Sequence, residues 1–127
     1  MSSPTDCLFT DSHEWFRKEG DTVTIGITTY AANELTDITY VEMKPVGTTI
    51  APGDTLGEVE SVKTTSDVFS AFGGEITEVN DAAASDPSLL NQDPYGQGWL
   101  VKMSCSDDSG AGDLLDSSAY DAKYPLD

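Results

Sequence analysis

Two β-prone runs around a turn, spanning residues 14–27, limit the fold more than any other stretch. Val23, Ile25 and Ile27 alternate with Thr24 and Gly26, the two-residue period of a strand with one buried face. Ahead of them Glu14-Trp15-Phe16-Arg17-Lys18 reads as the partner strand, and Glu19-Gly20-Asp21 as the turn that joins the two. Trp15 and Phe16 read as core side chains. The same grammar recurs downstream. Thr39 to Met43 resumes strand character, with Val41 and Met43 on one face, and Pro45 with Gly47 ends it. Pro52-Gly53-Asp54 is a turn signal. Leu56–Val62 and Thr65–Phe72, rich in Val, Thr and Phe, meet near Lys63 and Thr64. After Gly73-Gly74 comes Glu75 to Val79, and Trp99 to Met103 alternates as a last strand.

Helical signals are short. Thr28 or Thr29 can cap a helix in which Ala31, Leu35 and Ile38 share a face. Ser85-Asp86-Pro87-Ser88-Leu89-Leu90 reads as a helical turn with proline at its first position. From Asp113 to Tyr124 the spacing predicts a C-terminal helix with Leu115, Ala119 and Ala122 on its docking face and Lys123 in its last turn. The chain is therefore expected to be mainly β, and its 127 residues to form a single domain with no tandem repeat and no long linker. Residues 1–7 are polar and expected to be loose.

Twenty-three acidic residues against six basic ones give a net charge of −17. A phosphate backbone or an anionic membrane would be repelled, so neither is an expected partner. Such a field keeps a small protein soluble and supports steering towards basic patches on larger partners, and it equally suits a salty cytoplasm. Cys7 and Cys105 lie far apart, and His13 is the single histidine, which argues against a metal site and against a redox pair. The two thiols are read as reduced, small apolar side chains. No secretory or transit pattern opens the sequence and no run reaches membrane-spanning length, so a cytoplasmic location is expected. With one histidine, in the N-terminal strand motif, no nucleophile, base and orienting group come together, and the chain is read as non-catalytic.

The remaining anomaly is Lys63, the only basic residue between Lys44 and Lys102, set among Glu58, Glu60, Asp67, Glu75 and Glu78. Type and charge alone make it a solvated surface lysine. Its context is more specific. Glu60-Ser61-Val62-Lys63-Thr64-Thr65-Ser66-Asp67, followed by Gly73-Gly74 and Glu-Ile-Thr-Glu-Val-Asn, resembles the lipoyl-attachment region of the glycine cleavage system H-protein family. Ser12-His13-Glu14-Trp15, Thr24-Ile25-Gly26-Ile27-Thr28 and Asp93-Pro94-Tyr95-Gly96-Gln97-Gly98-Trp99 extend the resemblance, in order, over residues 9 to 126. Ser70-Ala71-Phe72-Gly73-Gly74 departs from it, lacking the proline and serine often found there.

The resemblance implies a lipoyl- or biotinyl-carrier-like fold, a flattened β barrel-sandwich whose related halves flank the lysine, with short helices and a C-terminal helix. It implies lipoate in amide linkage on Lys63, and a swinging arm that carries the aminomethyl group of glycine. The implied partners are glycine decarboxylase (P protein), the aminomethyltransferase (T protein), dihydrolipoamide dehydrogenase (L protein), and a lipoate ligase or lipoyl/octanoyl transferase. It also singles out a carboxylate to pair with the cargo's ammonium, Glu14, with Ser12, Asp67 and Thr64 as secondary candidates. As residues alone, Glu14 and Asp67 are two of many acids and Ser12 is a turn hydroxyl. His13 is read as structural, and Glu60 and Ser61 as residues that the modifying enzyme reads. A lipoyl domain of a 2-oxoacid dehydrogenase is disfavoured by the Ser-His-Glu-Trp motif and the C-terminal helix. An H-like carrier serving sulfur oxidation or lipoyl relay, or an unmodified interaction protein, stays open at this point.

Overall fold

The computed structural model describes residues 4–124. Nine strands run in chain order as β1 (Leu8–Phe9), β2 (Glu14–Glu19), β3 (Thr22–Ile27), β4 (Ile38–Met43), β5 (Thr49–Ile50), β6 (Thr55–Ser61), β7 (Thr65–Phe69), β8 (Gly74–Val79) and β9 (Val101–Ser104). Four short α-helices accompany them, α1 (Thr29–Leu35), α2 (Asp81–Ser85), α3 (Leu89–Gln92) and, after the last strand, α4 (Ser117–Lys123), with a 3-10 turn at Ala111–Asp113. A six-stranded sheet has the order β1-β2-β3-β9-β8-β5, and a three-stranded sheet the order β4-β6-β7. All pairs are antiparallel. This is the mainly β architecture that the strand signals predict, in the barrel-sandwich arrangement that the resemblance implies.

The hairpin over residues 14–27 forms as the alternation predicts. Glu19 pairs with Thr22, leaving Gly20 and Asp21 as a two-residue loop, and Gly20 has φ 60°, the left-handed backbone that such loops demand. Successive residues then face opposite ways. Phe16, Val23 and Ile25 enter a core shared with Val41, Leu56, Val59 and Val68 of the smaller sheet. Trp15 faces the other way, joining Cys7, Phe9 and Tyr120 in a second cluster under α4. Trp15 lies opposite Gly26, where a Cβ would come within 2.7 Å of the indole; the glycine is the space that the ring fills. Both faces of the large sheet are therefore covered.

Several local expectations shift. Thr28 does cap α1, accepting from the Ala31 amide, but the helix ends at Leu35, so Ile38 opens β4 and Ala32 rather than Ala31 is buried. β7 stops at Phe69 because Ser70 turns the chain, its hydroxyl donating to the Phe72 carbonyl and accepting from the Phe72 amide. Gly74 opens β8 instead of completing a turn. Pro87 lies just ahead of α3, whose cap position is Ser88. The C-terminal helix starts later than expected, capped by Asp116, and buries Ser117 and Tyr120. Leu115 lies before it, bridged to Phe9, and Ala119 and Ala122 face solvent. The expected loose start falls partly on residues 1–3, outside the described residues; Cys7 is buried and Asp6 pairs with Arg17 at 2.9 Å.

The outer face of the three-stranded sheet carries Glu42, Glu58 and Asp67 in one row, since Glu58 pairs with both of the others. Like charges directly opposite one another destabilise a sheet. The ion pairs among the described residues lie elsewhere, Arg17 with Asp6 and Lys123 with Asp11. Replacing the central charge, Glu58→Gln, is expected to raise the thermal midpoint at low salt. The gain should shrink in high salt, where screening already relieves the row; a midpoint that falls would contradict the repulsion.

Candidate functional site

Lys63 stands at the tip of the β6–β7 hairpin, in a three-residue loop of Val62, Lys63 and Thr64. Ser61 builds that loop. Its hydroxyl oxygen accepts from the amides of Lys63 and Thr64, each at 3.2 Å, while its own amide donates to the Thr64 carbonyl at 2.8 Å. The Val62 amide donates to the Asp37 carbonyl at 3.1 Å, which ties the tip to the α1–β4 junction. The tip is thus rigid in its backbone and exposed in its side chain. The Lys63 ammonium reaches the Glu34 carbonyl near the end of α1 at 3.3 Å, a favourable place for a cation. Ser61 therefore has a role in the turn that the sequence alone did not assign, that of a hydroxyl accepting backbone amides two and three residues on.

Glu14 begins β2 and is only 1% exposed. Its Oε1 accepts from the hydroxyls of Thr10 and Ser12, both at 2.6 Å, and its Oε2 accepts the Phe69 amide at 3.3 Å. A carboxylate offers about four lone-pair positions, so one on Oε2 is left over. The group lies on the wall of a cleft of about 270 Å³ that also includes Ser12, Gly53, Phe69, Gly110 and Leu114. Ser12 is thus brought to Glu14. Thr10 and Phe69 were not foreseen. The first hides in an unremarkable Phe-Thr-Asp-Ser run, and the second meets Glu14 only because the two sheets stack.

Asp67 is placed differently. It lies on the outer face of β7, opposite Glu58, and lines a wider hollow of about 460 Å³ with Glu42 and Lys44. It stands between Lys63 and Phe69 along the strand rather than beside Glu14. Thr64 is exposed and shapes the lysine turn through its backbone. An exposed amine on a stiff tip, and at the far end of the same strand a cleft with a buried acceptor, suit a long flexible group attached to Lys63 and ending in a cation. From residue 63 to residue 69 an extended strand covers roughly 20 Å. A side-chain adduct of about a dozen bonds, with a reach on the order of 15 Å, covers most of that span.

His13 packs into the fold ahead of β2. It has φ 72°, its Nδ1 lies 2.7 Å from the Tyr120 hydroxyl, and its ring packs on Tyr30 and Tyr124. Burial holds its imidazole below the ordinary histidine range, against the pull of Glu34 and Asp11. The fold therefore favours the neutral ring, and its contribution is fully present above the unfolded value of about 6.5 and lost as pH falls through the folded value. His13→Asn retains a residue tolerant of positive φ. The midpoint difference between the parent and this variant is expected to be constant above pH 7 and to narrow towards pH 5, as thermal melts will show. Burial likewise pushes the Cys7 thiol up to about 12, so it stays protonated; Cys105 is also free. Among the described residues no group of three or more His, Cys, Asp or Glu is arranged to hold a metal, and no helix is long and apolar enough to cross a membrane.

The family model described as glycine cleavage H-protein matches residues 7–125. The chain is 49% identical to the glycine cleavage system H protein of Bacteroides thetaiotaomicron, covering 96% of this chain and 97% of that one. It is 46% identical to the protein of the same name from Thermus thermophilus, covering 94% of each. The solved structure of a glycine cleavage system H protein from Mycobacterium marinum superposes with a TM-score of 0.89 at 39% identity, covering 98% of this chain and all of that one.

Proposed function

The chain belongs to the glycine cleavage H-protein family, and on that premise we propose that Lys63 bears lipoate in amide linkage and that Glu14 receives the cationic end of the loaded arm. The protein is a lipoyl carrier of the glycine cleavage system. The observation that carries the assignment of Lys63 is its place on a hairpin tip fixed by Ser61 and Asp37, with its side chain in solvent.

Each residue has a task that follows from its position. The stiff tip presents the amine to a modifying enzyme, a lipoate ligase or a lipoyl/octanoyl transferase, without mobilising the backbone. Amidation removes the ammonium, and with it the attraction to the Glu34 carbonyl and to the surrounding carboxylates, so the side chain is released to swing. When bound, the lipoyl group supplies a dithiolane that takes up the aminomethyl unit and later returns as a dithiol. Glu14 offers the remaining Oε2 position to the ammonium, and the Thr10 and Ser12 hydroxyls keep Oε1 from turning away. The walls formed by Phe69, Gly110 and Leu114 limit the approach of water. Asp67, halfway along β7, and Thr64, beside the lysine, line the arm's route.

In this reading the arm serves glycine decarboxylase (P protein), the aminomethyltransferase (T protein) and dihydrolipoamide dehydrogenase (L protein) in turn. The chain itself supplies no catalytic group and works in the cytoplasm with those partners. The test is the intact mass of protein purified from its own cells, with peptide mapping. One lipoyl group on Lys63 is the expected result; an unmodified Lys63 in lipoate-replete cells would leave an interaction protein in its place.

A further inference from the structure

The C-terminal helix does more than cover Trp15. The loop of Asp11, Ser12 and His13 leads into Glu14, and α4 grips it at two points. Lys123 and the Tyr124 hydroxyl hold Asp11 Oδ1, at 2.8 and 3.0 Å. Deeper in, the Tyr120 hydroxyl lies between His13 Nδ1 at 2.7 Å and Thr28 Oγ1 at 2.8 Å. Tyr120 is 1% exposed and stacks on Phe9 with ring centroids 4.7 Å apart, so its hydroxyl is held in place from behind. His13 adopts the left-handed backbone that a side chain takes only at a cost. That conformation turns the Ser12 hydroxyl onto Glu14 Oε1.

We propose that Tyr120 is a positioning residue of the Glu14 cleft: through His13 it locks the turn that presents Ser12, and so fixes the carboxylate that receives the cation. The hydroxyl shares hydrogen bonds with Nδ1 of His13 and with Oγ1 of Thr28, and that Oγ1 also accepts the Ala31 amide at the start of α1. Burial favours the neutral ring for His13, which leaves one ring nitrogen able to accept and the other to donate. The lock thus joins α4, the Ser12 turn and the cap of α1 at one oxygen atom. This inference rests on the assignment of Glu14 as the acceptor.

Two measurements test it, one without the arm. On the unlipoylated chain, Tyr120→Phe should speed hydrogen exchange of the Phe69 amide, which donates to Glu14 Oε2, by roughly fivefold, the factor that one net hydrogen bond represents. On the lipoylated and loaded chain, the same variant should hasten release of ammonium and formaldehyde by a similar factor. In a Glu14→Gln background it should add nothing to that release. His13→Gly, which takes positive φ without strain, should reproduce the exchange effect and abolish any further effect of Tyr120→Phe, which keeps the test valid if the single tyrosine variant folds poorly. Unchanged Phe69 exchange in both variants, or release that adds to that of Glu14→Gln, overturns the lock. If Glu14→Gln itself leaves release unchanged while Phe69 exchange still responds to Tyr120→Phe, the Glu14 assignment falls and the lock stands as a feature of the turn alone.

Discussion

Lys63→Arg is expected to fold as the parent does and to carry nothing. The side chain is exposed, its loop is closed by Ser61 and Asp37 through backbone amides that do not depend on it, and arginine keeps a cation within reach of the Glu34 carbonyl. The thermal midpoint should therefore be unchanged. What arginine lacks is an amine that can lose its proton and be acylated, since the guanidinium stays charged at every accessible pH. Incubation with lipoate, ATP and a lipoate ligase should add one lipoyl group to the parent and none to the variant, as intact mass will show. Glycine decarboxylation supported by the variant should fall to the rate without carrier. Lys44→Arg and Lys102→Arg should behave as the parent; a lipoyl group on the Lys63→Arg chain would move the attachment site elsewhere and sink the assignment.

What the sequence made legible follows the range of the interaction. The hairpin over residues 14–27 needs only alternation and a glycine in its turn, and both are local. The lysine tip was legible from the lengths of two β-prone runs meeting near Lys63 and Thr64 and from the family resemblance, since the alternation of those runs is untidy. The helix faces were not. In α4 the expected stripe of Leu115, Ala119 and Ala122 assumed a start at Asp113, whereas the helix begins after Asp116 and turns Ser117 and Tyr120 inward. Leu115 is taken by its bridge to Phe9, more than a hundred residues away, a competitor that no window contains. The helix α2 was missed although its cap is local, the Asn80 oxygen accepting the Ala82 amide; what no window contains is the anchoring of that side chain by the Gln97 and Trp99 carbonyls.

The site divides in the same way. Ser12 and Glu14 stand two residues apart, so their contact is built into the motif. Asp67 and Phe69 also stand two apart on the same face of β7, and a sequence cannot say which of them meets Glu14. The bend of the chain at Ser70 and the stacking of the two sheets decide it, giving the Phe69 amide to Glu14 and leaving Asp67 in the acidic row with Glu58 and Glu42. Tyr120 as the inward residue of α4 is the same kind of fact.

Glu14→Gln is expected to leave the fold nearly intact while removing the hold on the cargo. The substitution is isosteric, and every present contact can be remade. The amide oxygen can accept the Phe69 amide in place of Oε2, and the NH₂ group can donate towards the Thr10 and Ser12 hydroxyls, which reverse from donors to acceptors. No buried polar atom need be stranded, so the stability change should stay within about 1 kcal/mol. Glu14→Ala differs: it strands the Phe69 amide and opens a void, and should cost about 2–3 kcal/mol. For the loaded arm the glutamine is deficient in charge. An ammonium hydrogen-bonded to a carboxylate in a site screened from water is favoured over the neutral pair by about 1.5–3 kcal/mol, a factor on the order of 10 to 100 in occupancy of the cleft. A cation that spends that much less time in the cleft spends it in water, where the carbon–sulfur bond is cleaved to a thiol, formaldehyde and ammonium. Release from the isolated loaded protein should therefore rise on that scale, while lipoylation of Lys63, some 20 Å along β7, proceeds at the parental rate. A variant that lipoylates normally, melts with the parent and releases at the parent's rate would show that the cleft protects its cargo by shape alone, with Glu14 serving only the Thr10–Ser12 turn.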